Sequence, residues 1–93
     1  MNNKKLIELE KMSIIIEKTS NYIIELIHNN EKKSRVCAAY GDLRVYAKTF
    51  YDICNLLDSS KSSATAQKLA DTIYYTNPAI DRAIQATLEY MNK

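Results

Sequence analysis

Hydrophobic residues recur at spacings of three and four in three long stretches, which two short polar segments separate. This period is that of an α-helix, in which such positions share one face. The first helix is predicted from about Lys4 to about His28, and its apolar stripe is Leu9, Met12, Ile16, Thr19, Ile23 and Leu26. Four more isoleucines widen it: Ile14, Ile15, Ile24 and Ile27. We therefore expect this helix to contact partners on two sides, within the monomer or across an oligomer interface.

The second helix is predicted from about Lys32 to about Leu57. Asn29 and Asn30 should end the first helix, because asparagine tolerates the left-handed conformation at helix C-termini. The stripe of the second helix is Val36, Ala39, Leu43, Ala47, Phe50, Cys54 and Leu57. Gly41 interrupts this helix at a cost of about 1 kcal/mol relative to alanine. It indicates either close packing of a neighbouring helix or the approach of a ligand to the backbone.

The third helix is predicted to begin at Ser62 or Ser63, after a polar linker at 58–63 that can join antiparallel helices. Its stripe is Ala66, Leu69, Ile73, Thr76, Ile80, Ala83, Thr87 and Tyr90. Pro78 falls inside this stripe. Because proline lacks an N–H group and its ring clashes with the preceding turn, the helix should either kink there or break just before it. A break would make four helices.

Glycine and proline are too rare here for a turn-rich β fold, since the 93 residues contain one of each. We therefore predict an all-α fold: a small antiparallel bundle of three or four helices, forming a single domain over residues 1–93. A chain of this length buries only roughly 60–65% of the surface that its unfolded form exposes. Small domains often gain support by association, so a homo-oligomer is expected.

Charge and hydrophobicity exclude several functional classes. The chain is 46% hydrophobic and 26% charged, with a net charge of +2 and no run of like charges. This composition argues against a disordered chain and against binding to long nucleic acids. No stretch approaches the roughly 18 apolar residues that a membrane span needs. Acidic residues interrupt the first apolar stretch, unlike in a signal peptide, so a cytoplasmic location is expected.

The residues for catalysis or metal binding are few, and we predict no enzyme, no cofactor and no metal site. His28 is the only histidine, and at a helix end it is typical of a partner for the helix dipole. Cys37 and Cys54 lie 17 residues apart in one predicted helix, about 25 Å, so they cannot form a disulfide with each other. They are predicted to be small buried residues in a reducing compartment.

Aromatic and basic residues are better suited to binding, and the chain has seven tyrosines and no tryptophan. Tyr40, Arg44, Lys48 and Tyr51 form a ridge along the second helix. Such a row could stack a nucleobase and neutralise a phosphate. The alternative is that both tyrosines are edge residues of the core and both cations are solvated, or that Asp52 pairs with Lys48.

A second candidate surface lies on the third helix, where Lys68, Asp71, Tyr75 and Arg82 share one face. Lys68 and Asp71 could pair with each other, which would weaken an anion site. Tyr74 lies about 100° from Tyr75 around the helix, so we expect one of these two rings to be buried and the other exposed. Lys68, Tyr75, Arg82 and the nearby Asn77 complete the predicted ligand-binding set.

The segment 68–82, KLADTIYYTNPAIDR, resembles the C-terminal helix of small phage hairpin proteins that sequester cyclic-nucleotide messengers, the anti-CBASS and anti-Thoeris sponges. The matching residues are Lys68, Leu69, Tyr74, Tyr75, Asn77, Ala79, Ile80 and Arg82. A weaker likeness covers residues 21–27, NYIIELI. Together the two segments make up about a quarter of the chain.

The resemblance implies a non-enzymatic oligomer that binds a cyclic oligonucleotide between protomers, removing the signal and so inhibiting host anti-phage defence. The chain departs from the family in having an additional helix at roughly 34–57, a proline at position 78, and no tyrosine before Tyr22. The family's ligand residues are therefore not transferred to this sequence. The alternative function is a small helical bundle that binds and inhibits a protein target, such as a bacteriocin immunity protein or a phage inhibitor of a host enzyme.

Overall fold

Three α-helices make up almost all of the computed structural model, which describes residues 2–58 and 63–93. They are α1 (Asn2–His28), α2 (Lys33–Asp58) and α3 (Ser63–Met91). The described residues contain no strand, so the all-α prediction is confirmed, and the predicted helix ends agree to within about two residues. The middle of the predicted linker, 59–62, lies outside the described residues.

The helices lie along a rod that measures 47 × 17 × 16 Å. Each helix has 26 to 29 residues and is therefore about 40 Å long, so all three run parallel to the rod axis. Consecutive helices are antiparallel, which leaves α1 and α3 parallel. Lys68 accordingly pairs with Glu10 near the starts of both helices. α1 packs extensively against both neighbours, whereas α2 and α3 contact each other less.

The core contains most of the positions that the hydrophobic period predicts. Its fully buried large residues are Leu9, Ile16, Ile23, Val36, Leu43 and Phe50. Ile53 and Ala79 are also buried, although they are not part of the predicted stripes. Ala66 is exposed, and its neighbour Thr65 is buried in its place. The predicted stripe of α3 is therefore wrong by one residue at its first position.

The turn after α1 follows a Schellman motif, as the two asparagines predict. Asn30 adopts a left-handed conformation with φ of 54°. The Asn30 amide donates to the carbonyl of Ile27, and the Glu31 amide donates to the carbonyl of Leu26, both at 3.0 Å. These two bonds satisfy carbonyls that a helix end otherwise leaves without partners, and they turn the chain toward α2.

α3 continues through Pro78 as one helix from Ser63 to Met91. The break that would have produced a fourth helix does not occur, so the bundle has three helices in its described part. The kink at Pro78 stays a prediction. Pro78 itself is exposed, and the hydrophobic period on either side of it stays in phase, as Ile73, Thr76, Ile80 and Ala83 all turn toward the core.

Two predictions about small residues of α2 are wrong. Cys37 is exposed, with its Sγ atom 3.9 Å from Sδ of Met91, whereas Cys54 is buried as predicted. Gly41 is exposed, and a Cβ atom built on it would meet nothing within 4 Å. Close packing of a neighbouring helix within the monomer therefore does not explain this glycine. The approach of a ligand to its backbone stays a prediction.

Among the described residues, no helix has the length and apolarity needed to cross a membrane.

Candidate binding surface

Tyr74 and Tyr75 are the most exposed large hydrophobic residues of the described chain. Their side chains are 75% and 74% exposed. The two rings contact each other edge to face, with centroids 5.7 Å apart and planes 82° apart. The prediction that one ring is buried is wrong, because both positions point away from the core of α3. Exposing two adjacent aromatic rings to water is unfavourable in free energy, and such exposed aromatic residues are typical of recognition surfaces.

Tyr75 also lines two shallow grooves, which both include Thr72 as well. The first runs toward α1 and includes Glu10, Ser13, Ile14 and Thr72. The second runs along α3 from Ala64 to Asp71. Because the grooves meet at Tyr75, this ring lies at the centre of a continuous surface between α1 and the first half of α3.

Charged residues around Tyr75 are largely paired. Lys68 Nζ lies 2.8 Å from Glu10 Oε1, and this hydrogen bond and its charge raise the pKa of Lys68. Asp71 accepts a hydrogen bond of 3.0 Å from Gln67 Nε2, so the expected pairing of Lys68 with Asp71 does not occur. Arg82, two turns after Tyr75, is exposed and has no ion-pair partner among the described residues. The surface is therefore nearly neutral.

The ridge on α2 is divided between core and surface. Tyr40 is half-buried and packs against the core, which agrees with the edge-residue interpretation. Lys48 Nζ lies 3.0 Å from Asp52 Oδ2, and both side chains are well exposed. Arg44 has no ion-pair partner in the part of the chain that the structure describes, and it lines a shallow groove with Gly41, Val45 and Lys48. Of the two cations in this ridge, Arg44 is therefore the one without an ion-pair partner among the described residues.

Tyr51 joins α2 to α3, because its hydroxyl donates a hydrogen bond to Oδ1 of Asn77. Its ring also packs edge to face on Phe50, with centroids 5.4 Å apart. Partial burial, and then the charges of Asp81 and Cys54, raise the pKa of Tyr51. The structure thus brings two predicted site residues together. Their contact links α2 to α3 and occupies the hydroxyl proton of Tyr51.

The predicted ligand-binding residues therefore do not share one surface. Arg44 and Lys48 line a groove on α2. Lys68, Tyr75 and Arg82 follow one another at seven-residue intervals along the flank of α3 beside α1. Tyr51 and Asn77 lie between α2 and α3, on a different side of α3. The structure does not assemble all eight residues into one pocket.

Sequence reasoning missed a third surface, an apolar groove between α1 and α2. Its lining residues are Glu8, Lys11, Met12, Ile15, Thr49 and Ile53. The signal was present in the width of the α1 stripe, since Ile15 belongs to the residues that widen it. Ile14 and Ile15 both remain exposed, so the two neighbouring helices do not use the full width of that stripe.

The described residues include no group of three His, Cys, Asp or Glu side chains that could hold a metal ion. His28 is exposed in the last turn of α1, where a cation can interact with the helix dipole. The exposed tyrosine rings can stack or pack, and the flanking charges can form hydrogen bonds at a rim. This arrangement is suited to binding.

Comparison of the chain with known protein families, with curated proteins and with solved structures finds no match.

Proposed function

We propose that this protein is a non-enzymatic binding protein that recognises a protein target through the surface around Tyr74 and Tyr75. The observation that carries the proposal is the exposure of both rings side by side on the outer face of α3. Tyrosine is enriched among the residues that dominate binding energy at protein interfaces, where it contributes a large rigid contact area and a polar tip.

The neutrality of this surface supports a protein target over an anion. Glu10 holds Lys68, and Asp71 lies in the groove beside Tyr75. A polar rim of paired charges around an aromatic centre is the usual anatomy of a protein interface. The partner surface that fits best is a shallow apolar depression with hydrogen-bonding groups at its edge. Inhibition of such a target, as by a bacteriocin immunity protein or a phage inhibitor of a host enzyme, belongs to this proposal.

The test is affinity capture with a matched pair of variants. Wild-type protein and the Tyr74→Ala/Tyr75→Ala double variant are used as baits, and each captured protein is purified and titrated against both baits. We expect at least one partner whose affinity falls by a factor on the order of 100 in the double variant, as for hot-spot residues. Leu88→Ala is the control, since Leu88 is an exposed apolar residue later on the same helix.

A partner that binds wild type and double variant equally would overturn the role of the tyrosine pair. Equal loss with Leu88→Ala would show a general effect of surface apolarity. Circular dichroism of each variant verifies that the helices are retained.

The second candidate function is binding of a cyclic oligonucleotide between protomers, which the sequence resemblance implies. Its specific support is that Arg82 and Arg44 are exposed cations without ion-pair partners among the described residues, and that Tyr75 offers a free ring face two turns from Arg82. Guanidinium groups bind phosphates in a bidentate manner, and tyrosine rings stack on bases. Such binding would sequester an immune signal in the host cytoplasm.

Isothermal titration against a panel of cyclic di- and trinucleotides distinguishes this candidate. Heat that disappears in Arg82→Ala and Tyr75→Ala supports it. Absence of heat with every member of the panel at micromolar protein eliminates it and leaves the protein target.

A further inference from the structure

The face between α1 and α2 carries exposed apolar residues on both helices. α1 contributes Ile15 and Tyr22, and α2 contributes Val45 and Leu56, which are 63% and 59% exposed. Between the helices, the apolar groove described above has the half-buried Met12 and the buried Ile53 at its floor. This face is separate from the surface around Tyr74 and Tyr75, which lies on α3 and on the other flank of α1.

The charges on this face are complementary between the two helices. Lys11 and Lys18 lie on α1, four residues before and three residues after Ile15, so they share its side of the helix. Asp42 lies on α2, three residues before Val45. All three side chains are exposed, and none has an ion-pair partner among the described residues. Lys11 also lines the groove. At these positions α1 presents unpaired positive charge and α2 unpaired negative charge, and Glu25, three residues after Tyr22, is an exposed acidic residue further along α1.

Lys18 and Asp42 lie at the same height along the rod. Lys18 lies ten residues before the end of α1 at His28, and Asp42 lies nine residues after the start of α2 at Lys33. Because α1 and α2 are antiparallel and are joined by a short turn, positions equally far from the turn lie at about the same height. The two charges are therefore level with each other, although they do not pair within the monomer.

We propose that the α1–α2 face binds the same face of a second copy of this chain, forming a symmetric dimer. A two-fold axis parallel to the rod places α1 of one copy on α2 of the other without changing the height of any residue. Lys18 of each copy then lies opposite Asp42 of the other, and Ile15 lies opposite the region of Val45. Because such an interface is isologous, each of these contacts occurs twice.

The area of the α1–α2 face is large enough for a stable dimer interface. One side of the rod, 47 Å long and 17 Å wide, has an area of about 800 Å², which is the area that each partner contributes to a standard interface. A second copy also explains why both signs of charge occur on one face in register, since an isologous interface must be complementary to itself. The four exposed apolar residues would then lie in the dimer interior.

The experiment is sedimentation velocity of the full chain over the micromolar range with charge-reversal variants. Wild type is expected to sediment with twice the mass of one chain. Lys18→Glu and Asp42→Lys should each raise the dissociation constant by a factor on the order of 100, because each places like charges opposite each other twice. The combined variant Lys18→Glu/Asp42→Lys should restore the dimer.

Restoration in the combined variant supports the pairing in a way that loss of folding cannot imitate, and circular dichroism verifies that each single variant stays helical. A wild type that is monomeric throughout the range overturns the proposal. A dimer that neither reversal weakens, or that the combined variant does not restore, overturns the assigned face. Val45→Asp is a second variant expected to dissociate the dimer through the apolar part of the face.

This proposal and the proposed function fail independently. The Tyr74→Ala/Tyr75→Ala variant should sediment as a dimer, since positions 74 and 75 lie on α3, outside the dimer face. Conversely, Lys18→Glu should keep its affinity for a protein target that binds at the tyrosine pair.

Discussion

At the scale of single residues, Asn30 has the strictest backbone requirement of the described chain. Its φ of 54° is the only positive value among the described non-glycine residues, and it allows the two hydrogen bonds that end α1. Asn30→Ala should destabilise the fold by about 1 kcal/mol, because a left-handed conformation costs alanine roughly 1–2 kcal/mol. Urea denaturation measures this change.

The neighbouring Asn29 provides the control for that substitution. Asn29→Ala should change the free energy of unfolding by less than about 0.5 kcal/mol, as is usual for exposed positions. Asn30→Gly should match or exceed wild type, since glycine adopts this conformation without strain. An Asn30→Ala variant as stable as Asn30→Gly would contradict the role of the left-handed turn.

Tyr51 should give the fold a specific dependence on alkaline pH. Its pKa is raised above 10.0 in the folded state, so the folded protein holds the phenolic proton more tightly than the unfolded chain does. The stabilisation is therefore complete below pH 10 and is lost as the pH rises through the folded pKa. Loss of the proton also removes the hydrogen bond to Asn77, worth about 0.5–1.5 kcal/mol.

Urea denaturation of wild type and of Tyr51→Phe, repeated at pH values from neutral to above 10, tests this effect. Wild type should be the more stable at neutral pH, and its advantage should shrink once Tyr51 ionises. Tyr74→Phe serves as the control, because that ring is three-quarters exposed. A difference between wild type and Tyr51→Phe that stays constant with pH would contradict the assignment.

At the scale of the helices, Gly41 weakens α2 without serving the packing of the monomer. Gly41→Ala should stabilise the protein by about 1 kcal/mol, since the new methyl group meets nothing within 4 Å. Ala38→Gly is the matched control, because Ala38 is also exposed in α2 and should lose about the same amount. Thermal unfolding measures both. A less stable Gly41→Ala would contradict the open surroundings of this residue.

Pro78 interrupts the hydrogen bonding of α3 while the helix itself continues. Pro78→Ala should restore a bond from residue 78 to the carbonyl of Tyr74 and relieve the ring clash, which together cost a helix interior about 3 kcal/mol. Part of this gain is offset, because proline also restricts the unfolded chain. The expected net stabilisation is about 2 kcal/mol in urea denaturation. A loss of stability would instead show that the core requires the geometry that proline imposes.

At the scale of the whole molecule, the hydrophobic period predicted the fold because each helix buries one stripe. The stripe of α2, from Val36 to Leu57, lies almost entirely in the core. Periodicity could also locate the turn at Asn30, since asparagine has a known conformational preference there. The sequence of a single helix does not show which neighbouring helix covers its flanks. For this reason the burial of Ile15, Cys37 and Tyr74 could not be predicted from periodicity.

The binding residues were harder to predict for the same reason. The sequence offers Asp52 as a partner for Lys48, because both lie on one helix. It offers no sign of the pairing of Lys68 with Glu10, because these two residues lie on different helices, 58 positions apart in the sequence. The contact of Tyr51 with Asn77 likewise depends on how α2 and α3 pack. Pairings between helices follow from tertiary structure and have no signature in local spacing.

The turn between α1 and α2 has a consequence for how the bundle opens. The end of α3 is attached to this turn region twice: the hydroxyl of Tyr90 donates to the carbonyl of Glu31, and Lys33 Nζ donates to the carbonyl of Met91 at 3.3 Å. At the opposite end of the rod, the pair of Lys68 and Glu10, which links α3 to α1, is exposed. The two ends of one helix should therefore differ in the free energy of local unfolding.

Native-state hydrogen exchange should reveal this difference along α3. Amides at 80–90 should exchange slowly, near the rate set by global unfolding, and those at 65–72 should exchange faster through local opening. Tyr90→Phe should speed exchange at the slow end while leaving the fast end unchanged. Equal protection at both ends of α3 would contradict this gradient. A helix that opens from its first turns would loosen the segment beside Tyr74 and Tyr75, so that the candidate binding surface lies on the more adaptable half of α3.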